Sequence, residues 1–236
     1  MSEQESSVDR AYFKLREMAI NFTFKPEERL NETALTSKIG VSRTPLREAL
    51  NRLVAEGFLT FTNGQGFFCR SLSPTQISEL YQARAAIETE ATIRGIEQAT
   101  DEEIENLNDY LRRTENSYDD CDNLPELLRM DEEFHMRLAG LSNNSELLRL
   151  LANINERIRY VRMINLKQLR SRPKSEFSPG MHLSAHRVIA EAVAKRDKSA
   201  ALSALRGHIE RRGEQTMELV RIAYSQLYVP PSGQGL

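Results

Sequence analysis

The chain reads as mainly α in two parts, a small N-terminal domain of three helices with a β-hairpin and an all-helical bundle after it. Three patterns lead there. Before Gly57, apolar residues recur at three- and four-residue spacing in separate runs. FLTFTNGQGFFCR then alternates around Asn63-Gly64, and from Pro74 onward helical periodicity is broken only by clusters of Asp, Asn, Pro and Gly.

Val8, Ala11, Tyr12, Leu15, Met18, Ala19 and Phe22 predict an amphipathic first helix that ends at Lys25-Pro26. NETALTSK predicts a short second helix capped by Asn31, with Ala34, Leu35 and Ile39 facing inward and a tight turn at Gly40-Val41. In the third, Leu46, Ala49, Leu50, Leu53 and Val54 form the buried stripe, Ser42 is the expected N-cap, Pro45 sits in the first turn and Gly57 marks the stop. Helix, turn and helix at this spacing make a helix-turn-helix, and the hairpin beside it is a wing. A glycine at its tip, Gly64, lets backbone approach a sugar-phosphate surface.

Arg43, Thr44, Arg47 and Asn51 fall on the other face of the third helix. A solvated helix normally places Asp or Glu in its first turn, where the dipole favours negative charge. Two arginines and a threonine stand near the start here, which suits a site where duplex DNA supplies the anions. An ordinary amphipathic helix with basic decoration would look the same in isolation; the neighbouring helix and hairpin favour the DNA reading.

Ser73 and Pro74 open the second part. Helices are expected at 74–98, 101–117 behind a Thr100/Glu103 capping box, 124–141, 144–169, 181–195 and 198–226, with SRPKSEFSPG as the main loop and YVPPSGQGL as the tail. The expected domains are 1–72 and 73–228, with 229–236 as tail.

At 236 residues, 28% charged and 40% hydrophobic, the composition is that of an ordinary soluble globular protein. No apolar run is long enough for a transmembrane helix, and the N-terminus lacks an apolar signal core, so a cytoplasmic location without membrane partners is expected. Cys69 and Cys121 fall in different parts and form no metal-type pair. Residues 1–72 carry ten Lys and Arg against nine Asp and Glu, so DNA binding would rest on a local patch that dimerisation doubles.

All four histidines lie in the helical part. Asp131 and His135, at i and i+4, leave one helix face; His186 shares a stripe with Ile189 and Val193, and His208 follows Ala204 and Leu205. One carboxylate and three imidazoles from three helices suit a divalent metal with positions left open, or each histidine simply bonds a neighbour or reaches solvent. Arg84 lies on the inward stripe of its helix, where it either pairs with Glu88 or binds a ligand carboxylate, and Asn155 is a second pocket candidate. A metal-dependent hydrolase is the competing class, disfavoured because no nucleophile or general-base motif accompanies the cluster. A purely structural metal is the third reading.

KPEERLNETALTSKIGVSRTPLREALNRLVAEGF, followed by GQGFF, resembles the winged helix-turn-helix of the GntR transcription regulators, and residues 73–226 resemble the helical effector (FCD) domain of the FadR-type branch. The resemblance implies that Arg43, Thr44 and Arg47 contact operator DNA and that Gly64 is the wing tip. Thr33 stands where some relatives carry an arginine. It further implies a metal held by Asp131, His135, His186 and His208, zinc first with nickel or manganese as alternatives, His182 competing with His186. A homodimer on a pseudo-palindromic operator, responding to a small organic acid, completes the expectation.

Overall fold

The computed structural model describes residues 6–121, 123–171 and 181–228, apart from the side chains of 115–120, 169–171, 181–184 and 218. Most of the expected loop at 171–180, the tail and the His182 side chain lie outside the described residues. Two compact units result, Met1–Ser73 with Val220–Leu236, and Pro74–Leu219.

In the first unit α1 is Ser7–Ile20, opened by the Ser6 hydroxyl, which accepts the Asp9 amide at 3.0 Å. It stops well before Pro26, earlier than the apolar spacing suggested. Phe22 turns to φ +48° and is buried, and Arg70 donates to the Ala19 carbonyl at 2.7 Å while lying 4.3 Å from the Phe22 ring. A cation thus satisfies the end of the helix that the sequence pattern would have continued.

Helix α2 is Glu32–Ile39, with Asn31 Oδ1 accepting the Ala34 amide at 3.0 Å and Gly40 closing it at φ +76°. Leu35 and Ile39 are buried as expected, but Ala34 is exposed. Eight residues present too narrow a face for Ala34 as well, about 100° round from Leu35. Helix α3 is Arg43–Ala55, and its Ser42 hydroxyl makes no cap bond, contrary to expectation.

The core joins Ala11, Leu15 and Ala19 of α1 to Leu46, Ala49, Leu50 and Leu53 of α3, all 0% exposed. Strands β1, Leu59–Thr62, and β2, Gly66–Cys69, pair antiparallel with Leu59 opposite Cys69. The turn between them has three residues, with Gly64 at φ +75°. Residues 28–30 add a third edge that alternation did not reveal: Leu30 N–H donates to Phe67 O at 2.8 Å and Cys69 N–H to Glu28 O at 2.9 Å. Within the same unit, the Tyr228 hydroxyl donates to the Pro26 carbonyl at 3.0 Å.

The second unit is helical: α4 Pro74–Gln98, α5 Asp101–Asp120, α6 Leu124–Gly140, α7 Ser145–Ser171, α8 Met181–Ala194, and α9 Lys198–Tyr228, which runs on past Leu219 into the first unit's share of the chain. Thr100 and Glu103 form the expected capping box, and Asn123 and Asn144 cap α6 and α7. Helix α4 packs against α6 and α7, while α5 packs against α6 and α8. Beyond the end of α8, Arg196 donates to the carbonyls of Ile96 and Ala99, each at 2.7 Å, satisfying the end of α4 and fixing α8 beside it.

Gly95 allows one close approach. A Cβ there would lie 2.8 Å from the Leu141 Cβ. Alanine is the better helix former by ~1 kcal/mol, but overpacking of this kind costs about 1–3 kcal/mol. Gly95→Ala is therefore expected to lower the urea midpoint, and a raised midpoint would show that Leu141 yields freely.

Candidate nucleic-acid interface and candidate metal centre

Burying Leu46, Ala49, Leu50 and Leu53 turns the opposite side of α3 to solvent, and Arg43, Thr44, Arg47 and Asn51 are all exposed on it. No acidic residue occupies its first turn. Arg47 is half exposed, 3.2 Å from the Glu32 carboxylate, with its guanidinium 5.5 Å from the centre of the Phe67 ring. Gly64 is exposed at the hairpin tip, and a Cβ there would meet nothing within 4 Å. Thr33 is exposed on α2.

The second cluster is inside the helical unit. Asp131 and His135 come from α6, His186 from α8 and His208 from α9; one ligand atom from each lies within 4.8 Å of the others, and all four residues are buried. Phe134 stacks on His186 with ring centres 4.1 Å apart, which fixes that imidazole's plane. Asp131 Oδ1 is 3.5 Å from His186 Nε2, and Asp131 Oδ2 accepts from Arg162.

Electrostatics favours the unprotonated form of two of these rings. Burial pushes His186 down to about 3, and burial with the neighbouring imidazoles holds His208 well below the usual histidine range. Burial alone would raise the Asp131 carboxyl, but Arg162, His135 and His186 more than offset it and hold it well below the usual carboxylate range.

A shared cation fits what remains unsatisfied. Nε2 of His135 and Nε2 of His186 are buried without a hydrogen-bond partner, although such groups are rarely left alone. Three imidazole nitrogens and one carboxylate oxygen are a donor set for zinc and its first-row neighbours.

Arg84 and Glu88 of α4 stand behind His135. Arg84 Nε donates to Glu88 Oε1 at 2.6 Å, and Glu88 Oε2 is 2.6 Å from His135 Nδ1. Both side chains are almost fully buried, and Arg84 Nη2 has no partner. Burial works to raise the Glu88 carboxyl, yet Arg84 and His135 bring it down to about 2. An adjacent cavity is lined by Arg84, Asp131, Arg162, Asn165, His208 and Arg212 among others. Its free volume is small, about 20 Å³, room for about one or two waters or the polar end of a small acid.

Asn155 is buried with both side-chain polar atoms unpartnered, but it does not line this cavity. Arg162 and Asn165 do, and periodicity carried a signal for them: Asn155, Ile158, Arg162 and Asn165 recur at three- and four-residue spacing on α7, polar groups on a buried stripe.

Comparison with known proteins gives the chain's place. Residues 7–69 match the gntR family of bacterial regulatory proteins and residues 79–211 match the FCD domain. The chain is 41% identical over 211 residues to the Nta operon transcriptional regulator of Aminobacter aminovorans, covering 89% of this chain and 95% of that one. It is 34% identical to the uncharacterized HTH-type transcriptional regulator YdhC of Bacillus subtilis, covering 84% of this chain and 85% of that one. The solved structure of McbR/YncC from E. coli has a similar fold, with a TM-score of 0.62 over 94% of this chain and 98% of that one at 21% identity. Among the described residues, no helix is long and apolar enough to cross a membrane. With an N-terminal winged helix-turn-helix and a helical FCD domain, the chain belongs to the GntR family of bacterial regulatory proteins and is a DNA-binding transcriptional regulator rather than an enzyme.

Proposed function

We propose that the protein is a homodimeric cytoplasmic regulator of the FadR-type branch whose hold on a pseudo-palindromic operator responds to a small organic acid bound beside a divalent metal. Two copies of α3 would enter successive major grooves. Arg43 and Arg47 would read guanine edges, Thr44 and Asn51 would contact neighbouring groups, and the backbone at Gly64 would approach the sugar-phosphate surface.

Asp131, His135, His186 and His208 would hold the metal, zinc before nickel or manganese, and the observation that carries this is the pair of buried, unpartnered Nε2 atoms. When bound, the ion supplies a Lewis-acidic position for one oxygen of the effector. Arg84 Nη2, buried and unpartnered beside the cavity, would take the other oxygen, so the residue serves Glu88 through Nε and the ligand through Nη2. Asn155 would join the pocket only on a rearrangement of α7. The effector shifts the regulator between arrangements only as far as it prefers one of them.

Elemental analysis of the purified chain tests the metal: about one ion per chain is expected, lost in His135→Ala. Equal and negligible metal in both would leave only hydrogen-bonded core histidines. A thermal-shift screen of small carboxylic acids on the metal-loaded protein tests the effector. The responding acid should raise the melting temperature of the wild type and not of Arg84→Lys, which keeps a cation for Glu88 and removes Nη2. Metal without any acid response would leave an ion that only ties helices together.

A further inference from the structure

We infer that Glu88 is a positioning residue that sets the tautomer of His135, holding its proton on Nδ1 so that Nε2 presents a lone pair to the cluster. The inference rests on the reading of that cluster as a metal site.

A neutral imidazole carries one proton, and the partner of one nitrogen decides which nitrogen bears it. An ionised carboxylate can only accept. With Glu88 Oε2 at 2.6 Å, Nδ1 must donate, and Nε2, which faces Asp131, His186 and His208, is left bare. The carboxylate cannot turn away, because its other oxygen takes the Arg84 Nε–H at 2.6 Å. His135 is 0% and Glu88 1% exposed, so bulk water does not compete for either contact.

A glutamine at position 88 reveals the logic. Arg84 Nε is an obligate donor, so it claims the amide oxygen. The amide NH2 is then turned to His135 Nδ1, which must accept, and the proton moves to Nε2. Every hydrogen bond survives in Glu88→Gln, the shape is kept, and yet the nitrogen needed for the metal is blocked. A carboxylate that merely neutralised Arg84 would have no such effect on the ring.

Long-range 1H–15N spectra of the metal-free protein at about pH 8 show directly which ring nitrogens carry protons. Wild type should show His135 protonated at Nδ1 and Glu88→Gln should show it protonated at Nε2. Zinc affinity, measured against a competing chelator, should fall about 10–100-fold in Glu88→Gln. Adding Arg84→Met removes the claim on the amide oxygen, so the double variant should return to the Nδ1–H form and regain affinity. A His135 signal unchanged by Glu88→Gln, or zinc affinity within about twofold of wild type, would overturn the assignment while leaving the metal site intact. A wild type that binds no zinc would instead remove the metal reading and this one with it.

Discussion

Asp131→Ala is expected to destabilise the helical unit of the metal-free protein by about 3 kcal/mol, the lower end for removing one partner of a buried ion pair. Arg162, 8% exposed, would lose the carboxylate it donates to and, among the described residues, keep Glu132 at 3.4 Å. That remaining contact is why the upper end of the range, about 5 kcal/mol, is not expected. Replacing both Asp131 and Arg162 by apolar residues should be much milder, because Glu132, which also loses Arg162, keeps Arg159 at 3.5 Å. Urea denaturation after exhaustive chelation measures both. Identical midpoints for wild type and Asp131→Ala would mean that Arg162 finds water or another anion without loss.

Arg43→Ala is expected to weaken operator binding by about 5- to 150-fold, as for loss of a bidentate guanine contact of roughly 1–3 kcal/mol, and to relax the preference for one base pair. Arg47→Ala should fall toward the lower end of that range. In the free protein Arg47 already has Glu32 at 3.2 Å, so DNA must draw it off a partner and gains less on balance. Both side chains are exposed, so neither change should alter the helical content or the melting curve. Band-shift titration at fixed salt decides the matter; full affinity in the double variant would take α3 out of the groove.

Periodicity made the helices legible because a stripe such as Leu46, Ala49, Leu50 and Leu53 has one explanation at a pitch of 3.6 residues. Local capping chemistry was equally readable where one short side chain settles it, as at Thr100 with Glu103 and at Asn31. Ends set by distant groups were not. Nothing near Ile20 announces that Arg70 will take the Ala19 carbonyl, and Ser42 has the right chemistry for a cap bond it does not make.

The cluster shows the same boundary. The i, i+4 pair of Asp131 and His135 was visible, and burial of His186 and His208 follows from their stripes. Spacing, however, tells which residues share a face and not which faces meet. Glu88 looked sufficiently explained by Arg84 four residues before it. Its second bond, to a histidine 47 residues away, depends on how α4 and α6 cross. Periodicity put Arg162 on a buried stripe, but its pairing with Asp131 was hidden for the related reason that its anion lies on another helix.

Helix α9 has a consequence for how the molecule is made. Its turns from Val220 on belong to the unit that starts the chain, with Val220 and Ala223 buried and Tyr228 bonded to Pro26. The ribosome delivers those turns only after all of Pro74–Leu219. The operator-reading head therefore emerges early but waits, with part of its apolar surface open, until the rest has been translated, so chaperone capture or aggregation during biosynthesis should fall on it first.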